Sequence, residues 1–280
     1  MGFCLIAMPY ELGRLRDGVG RGPERLLEAG AAEALASAGA QVETETVEFG
    51  GRFSSEVNAS FDLIAQISQR VSKAVAEGSF PVVLSGSCFA AVGVMAGLAE
   101  SSPGVVWLDA HADFNTPDST VYGYFDGMAL AILTGGAWRA MRAAVPGAPP
   151  IPEDAVVLAG ARDLDEEEAR RLGESKVTHL PPERLDSPDA VAAAVESIAP
   201  SGLYLHVDLD VLDPAEARAN IYSAPGGVRA EQLEAILAAL LERFPVRALS
   251  LAAYDPGADP AGEVPPIALR LLRRLAAARV

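Results

Sequence analysis

The chain has 280 residues, half of them hydrophobic, with 38 acidic against 22 basic side chains and a net charge of −16. That balance excludes nucleic acid and anionic membrane surfaces as expected partners, favours a cationic small molecule, and leaves enough apolar residues for a sizeable core. No apolar run reaches the ~20 residues that cross a bilayer, residues 2–8 lack the basic start of a signal peptide, and Cys4 and Cys88 lie too far apart for a disulfide framework, so a reducing cytoplasm is the expected location.

Apolar runs with strand character are predicted at residues 3–8, 42–49, 81–84, 105–109, 155–159, 177–180, 203–208 and 248–252. Helical patterns fall between them at residues 23–38, 61–76, 89–98, 187–198, 229–244 and 266–278, with a short further helix over 128–133. Such alternation predicts one doubly wound α/β domain over residues 1–280, built on a mostly parallel eight-stranded sheet sandwiched by helices. The Pro-rich stretch 146–152 reads as a surface loop, and the acidic patch 163–168 as a loop running into a solvated helix start.

Two aspartate-rich runs, Asp109-Ala110-His111-Ala112-Asp113 and Asp208-Leu209-Asp210 with Asp213-Pro214, directly follow predicted strands. Side chains two apart on a strand share a face, so Asp208 and Asp210 are expected to point together, as are Asp109, His111 and Asp113 if the extended backbone continues past the strand end. In open parallel sheets ligands bind beyond the carboxyl ends of the strands, where both runs fall. Carboxylates crowded there repel one another unless a cation compensates, and four aspartates with a histidine suit Mn²⁺, Zn²⁺, Fe²⁺ or Co²⁺. Turn and cap chemistry is the competing explanation of any one such run, and two in one chain weaken it.

With a third stretch, these runs resemble the arginase, or ureohydrolase, family. Its motifs Gly-Gly-Asp-His, Asp-Ala-His-x-Asp and Ser-x-Asp-x-Asp-x-x-Asp-Pro correspond here to Ser85-Gly86-Ser87-Cys88, to Asp109 through Asp113, and to His206-Val207-Asp208-Leu209-Asp210-Val211-Leu212-Asp213-Pro214. The likeness includes Gly18-Val19-Gly20-Arg21-Gly22-Pro23 and extends over nearly the whole chain. It implies two divalent metal ions, Mn²⁺ by the family pattern. One would be held by Cys88, Asp109, Asp113 and Asp208, the other by Asp109, His111, Asp208 and Asp210, with Asp109 and Asp208 bridging. Cys88 stands where the family has histidine, and a thiolate shifts preference toward Zn²⁺, Fe²⁺ or Co²⁺ or weakens that site. Cys88 also reads as a small packed residue at a helix start, or, with Ser87, as a nucleophile, although the Gly-x-Ser-x-Gly elbow is missing. His206 shares the face of Asp208 and Asp210; a catalytic role beside a metal ligand and that of a core histidine stay open. His179 and Cys4 are expected to be structural.

The resemblance implies hydrolysis of a C–N bond of a guanidino or amidino compound by a metal-bridging hydroxide, with Asp113 orienting it and shuttling its proton. Asn115 and Asp165 match family contacts to the amino-acid end of arginine. Tyr122 replaces a serine, Asp126 a proton-relaying histidine, Tyr222 a threonine, and Ala253 the glutamate that pairs with the guanidinium. Asp126 is therefore expected to supply an anion or a general acid, or else to cap the helix at 128–133. Tyr122, Tyr124 and Tyr222 are expected to wall the pocket for a substrate larger, flatter or less charged than arginine, such as an N-hydroxyguanidine. The resemblance also implies a homo-oligomer, trimer or hexamer. The alternative reading is a catalytically inactive binding or regulatory protein on the same fold.

Overall fold

All eight strands expected from the apolar runs form, with their ends shifted by at most three residues. The structure is a computed structural model and describes residues 2–51, 53–100 and 102–279. The strands are β1 (Gly2–Met8), β2 (Tyr10–Glu11), β3 (Arg14–Leu15), β4 (Val42–Thr46), β5 (Ser79–Ser85), β6 (Pro103–Leu108), β7 (Val156–Ala159), β8 (Thr178–Leu180), β9 (Gly202–Asp208) and β10 (Val246–Ala252). Eight of them make one sheet in the order β4-β1-β5-β10-β9-β6-β7-β8, and every neighbouring pair is parallel.

The remaining two strands, β2 and β3, pair antiparallel in a small hairpin that the apolar pattern did not announce. Its turn residues Leu12 and Gly13 both have positive φ. A two-residue hairpin needs that geometry, and leucine, unlike asparagine or glycine, gives no signal for it.

Alternation along each buried strand sends side chains to opposite faces. In β1, Cys4, Ile6 and Met8 enter one apolar cluster while Phe3 and Leu5 enter the other. The first cluster is closed by helices Glu56–Ala76, Ala90–Leu98 and Ala129–Leu133; the second by Gly22–Glu28, Ala31–Ala36, Pro188–Ile198, Ala230–Arg243 and Val264–Ala278. Helices Glu56–Ala76 and Ala90–Leu98 come close because Gly93 and Gly97 lack side chains: a Cβ on either would lie 2.5 Å from the carbonyl of Ile64 or Ser68.

Three expectations change. The helix expected over 23–38 is broken into two at Gly30, whose φ of +103° no helical residue adopts. The helix expected from Phe61 begins at Glu56, where the Ser55 hydroxyl accepts from Asn58 N and caps it. The acidic patch is only partly solvated. Its helix, Glu166–Glu174, turns Glu168 inward, where it is 4% exposed and accepts from Phe114 N at 2.8 Å.

Candidate metal centre and active site

The neighbouring strands β5, β10, β9 and β6 end on the same edge and deliver Cys88, Ala253, Asp208 and Asp109 to it. The expected continuation of extended backbone through Asp113 does not occur. Asp109 Oδ1 accepts from His111 N at 2.8 Å, the chain turns, and Asp113 adopts φ +50° while its carbonyl accepts from Leu130 and Ala131. Nor do Asp208 and Asp210 meet through the pleat. β9 ends at Asp208, Leu209–Val211 forms a 3₁₀ turn, and Asp210 N donates to Asp208 Oδ1 at 2.8 Å. The turn chemistry of aspartate thus shapes both runs, and that bending, rather than strand periodicity, brings them together.

The result is a floor of acid. Asp109, Asp113, Asp208 and Asp210 are 1%, 7%, 3% and 2% exposed. Trp107 Nε1 donates to Asp109 Oδ2 at 2.9 Å, the Cys88 thiol to Asp208 Oδ2 at 3.0 Å, Ala110 N to Asp210 Oδ1 at 3.2 Å and Asn220 Nδ2 to Asp210 Oδ2 at 3.1 Å. Among the described residues, Asp113 Oδ2 and His206 Nε2 are buried with no hydrogen-bond partner. Burial raises the pKa of Asp109, Asp113 and Asp208, and neighbouring carboxylates add to it: Asp210 for Asp109 and Asp208, Asp109 for Asp113. Burial pulls His111 down, but Asp210 and Asp109, each 3.4 Å from its Nδ1, outweigh this and push it up to about 10. Burial and then Asp208 push the Cys88 thiol well up.

A cation at this floor would remove the repulsion and use the orphaned atoms, so the residues fit a divalent metal centre. Two donor groups converge, each with its atoms within 4.8 Å of one another: Asp109, His111 and Asp210, and Cys88, Asp109 and His206. Of the expected ligands, Cys88, Asp109, His111 and Asp210 fall in these two groups; Asp113 and Asp208 fall in neither but line the same cavity, Asp208 hydrogen-bonded to Cys88. His206 reaches the same place from beneath: it is fully buried, stacked on Trp107 with ring centroids 3.8 Å apart, and burial holds its pKa down at about 3. His179 lies apart, with Nε2 3.1 Å from the Ala161 carbonyl, and Cys4 is buried in β1.

Above the floor opens a cavity of about 470 Å³. Asn115 and Asp165 stand on one wall, joined by a 3.4 Å hydrogen bond from Asn115 Nδ2. Tyr122, Tyr124 and Tyr222 form the mouth, Tyr122 stacked on Tyr124 and Tyr222 edge-on to Tyr124. Tyr122 is 72% exposed, so these rings make a lip rather than an inner wall. Asp126 does not cap its own helix: Oδ1 accepts from Phe89 N at 3.0 Å, which ties it to the turn carrying Cys88. Burial pushes Asp126 up to about 7 against the opposing backbone N–H groups of Phe89 and Cys88. Ala253 faces the cavity with φ +58° and offers a methyl group. Ser87 donates to the Tyr10 carbonyl at 3.2 Å.

Residues that the motifs did not name complete the site. Glu11, from the hairpin, lines the cavity and its pKa is raised by burial. Asn220 is fully buried and joins Asp210 to the Ala253 carbonyl. Arg162 donates to the carbonyls of Gly160, Asp210, Val211, Leu212, Ala224 and Pro225, locking the exits of β7 and β9 to the loop that carries Tyr222. A single Arg or Asn in a loop carries no periodicity, so nothing in the chain singled these out. No helix among the described residues is long and apolar enough to cross a membrane.

The family model described as the arginase family matches residues 1–277. The arginase of Bacillus subtilis (strain 168) is 32% identical over 227 residues, 76% of each chain. The N(omega)-hydroxy-L-arginine amidinohydrolase of Streptomyces lavendulae is 29% identical over 64% of this chain and 62% of its own. A crystal structure of arginase from Bacillus subtilis superposes with a TM-score of 0.90 at 28% identity, covering 99% of this chain and 98% of that one. With the acid floor at the ends of its central strands, the chain belongs to the arginase family of ureohydrolase-like enzymes, which hydrolyse carbon–nitrogen bonds.

Proposed function

We propose that the enzyme is a metal-dependent amidinohydrolase whose substrate is a guanidino or amidino compound other than plain arginine, with an N-hydroxyguanidine the best fit. The observation that carries this reading is the cavity wall at Ala253, a methyl group under a lip of three tyrosines. A guanidinium placed there loses the carboxylate that Ala253 replaces, and Asp126, which burial pushes up to about 7, restores only part of that charge, so the cation is under-compensated. An N-hydroxyguanidine is less basic and suffers this less. The relative from Streptomyces lavendulae, named for N(omega)-hydroxy-L-arginine, supports the same direction.

Cys88, Asp109, Asp113 and Asp208 on one side, and Asp109, His111, Asp208 and Asp210 on the other, are the residues proposed to hold two divalent ions, Mn²⁺ by family pattern, with the Cys88 thiol favouring Zn²⁺, Fe²⁺ or Co²⁺ on its side. When bound, these ions supply the Lewis acidity that brings water toward its hydroxide form near neutral pH. Asp113, with its unpaired Oδ2, accepts a proton from the attacking water and returns it to the leaving nitrogen. Asn115 and Asp165 hold the polar tail of the substrate, and the tyrosines at the mouth flank that tail. Glu11 and Asp126 give the cavity negative charge that draws in cations, as does the net charge of −16. His206 is packed against these residues with its Nε2 unpaired. Water adds to the central carbon, the C–N bond breaks, and the products are an amine and urea, or hydroxyurea from an N-hydroxyguanidine. We further propose that residues 1–280 work as one domain, in the cytoplasm, as a homo-oligomer.

The test is turnover of guanidino, hydroxyguanidino and amidino compounds by the purified chain reconstituted separately with Mn²⁺, Zn²⁺, Fe²⁺ or Co²⁺. Release of urea or hydroxyurea faster from a hydroxyguanidine than from arginine is expected. Silence across the panel at full metal occupancy overturns the reading.

A further inference from the structure

The two histidine-related departures from the family motifs lie side by side in space. Cys88 holds the position of a motif histidine, and His206 opens the third motif where the family has serine. Their donor atoms, Cys88 Sγ and a ring nitrogen of His206, lie within 4.8 Å of each other and of an Asp109 carboxylate oxygen. Donors about 2.0–2.3 Å from one zinc-sized ion lie roughly 3.3–3.8 Å apart in a tetrahedron, so small side-chain rotations close this triangle on an ion.

The surroundings of His206 prepare it for that role. Tyr204 donates its hydroxyl proton to Ser250 Oγ at 2.7 Å, which leaves the Tyr204 oxygen to accept from His206 Nδ1 at 3.3 Å. This arrangement favours the tautomer with the ring proton on Nδ1, in which Nε2 keeps a free lone pair. Nε2 is the ring atom buried without a partner. A metal-binding histidine is fixed in this way, with the other nitrogen donating to a hydrogen-bond acceptor. The Trp107 ring stacked on the imidazole and the Trp107 Nε1 bond to Asp109 hold two members of the triangle on one support.

Resting on the metal-dependent reading above, we propose that His206 is a metal ligand and that Cys88, Asp109 and His206 form a thiolate–imidazole–carboxylate site selective for a borderline ion such as Zn²⁺, beside the harder Asp109–His111–Asp210 site. To hold an ion there Cys88 would give up its thiol proton to solvent, and with it the 3.0 Å hydrogen bond to Asp208. The centre is chemically asymmetric: sulfur and nitrogen donors on one side, nitrogen and oxygen on the other. The soft side discriminates against Mn²⁺, which prefers oxygen.

The test uses the full chain, stripped of metal and reloaded with Co²⁺, read by elemental analysis and by thiolate-to-cobalt charge-transfer absorption in the near ultraviolet. About two Co²⁺ per chain with a charge-transfer band is expected for the wild type. Cys88→Ser should lose the band, and His206→Gln should lose one equivalent together with the band. His111→Asn should lose the other equivalent and keep it. Tyr204→Phe, which preserves packing while removing the acceptor for Nδ1, should weaken the soft site roughly 10- to 100-fold. It also serves where His206→Gln fails to fold. A His206→Gln protein with unchanged band and stoichiometry overturns the proposal, as does a Tyr204→Phe protein with unchanged affinity. Wild-type turnover separates the two readings: a band without turnover of any guanidino compound leaves the ligand assignment standing and removes the hydrolase reading. Turnover without a band does the reverse.

Discussion

Replacing Arg162 probes how the site is held. Its guanidinium reaches six carbonyls, with the shortest bonds running from Nη2 to Ala224 at 2.7 Å and to Asp210 at 3.0 Å, from Nε to Pro225 at 3.1 Å and from Nη1 to Gly160 at 3.1 Å. A hydrogen bond from a charged donor contributes about 1.5–3 kcal/mol when buried. Arg162 is half-buried, so water replaces part of each bond, and about 1 kcal/mol for each of three directions gives Arg162→Ala a loss of about 3 kcal/mol. For a chain of this size that is a fall in Tm of roughly 6 °C. Arg162→Lys keeps the charge but presents three donors from a point rather than a planar fork, and should lose about half as much. Urea denaturation with the metal content fixed gives both values, and the same variants should bind metal less tightly because the Asp210 carbonyl is one of the atoms released. An Arg162→Ala protein within ~0.5 kcal/mol of wild type, the range of ordinary surface substitutions, would refute the argument.

Asp208→Ala should abolish retention of metal on gel filtration, and unchanged metal content would remove Asp208 from the ligands. Glu11→Gln should raise KM for cationic substrates by roughly tenfold, the scale of a partly buried charge contact, and leave KM for neutral analogues alone; equal effects on both would show a structural role. Ala253→Glu should raise kcat/KM for arginine by about 30-fold or more, the 2–5 kcal/mol of a desolvated charge pair, and no gain in a folded protein would show that the cation lies elsewhere. Burial first, then Glu45 and Glu43, push the Cys4 thiol up to about 11. At pH 8 only about one in 10³ of its molecules is thiolate, and alkylation should quicken tenfold per pH unit. Rapid labelling of the native protein at Cys4 below pH 8, found by peptide mapping, would contradict its buried setting.

Much of this molecule was readable from residue order alone. Runs such as 203–208 and 248–252 are apolar on both faces because a parallel strand buried between helix layers meets no water, so length and bounding turns were enough to find the strands. The same runs placed Asp109 and Asp208 at strand ends, and the family motifs named the ligand candidates. Tertiary structure decided what local pattern does not encode. Asp113 faces the floor only because the chain turns at His111 and enters φ +50°, and Asp210 only through a 3₁₀ turn held by the Asp208 carboxylate. Glu168 looked solvated in an acidic run, yet its helix docks with that residue inward against Phe114 N. Arg162, Asn220 and Glu11 reach the site from loops or a two-residue strand, where neither the 3.6 nor the 2.0 period operates. Cys88 and His206, 118 positions apart in sequence, share Asp109 as a neighbour because β5, β10, β9 and β6 lie edge to edge. Sequence determines which strands form and which side chains they end on; the sheet order determines which of those ends face one another, because hydrogen-bonded pairing couples residues with no regard to their separation along the chain.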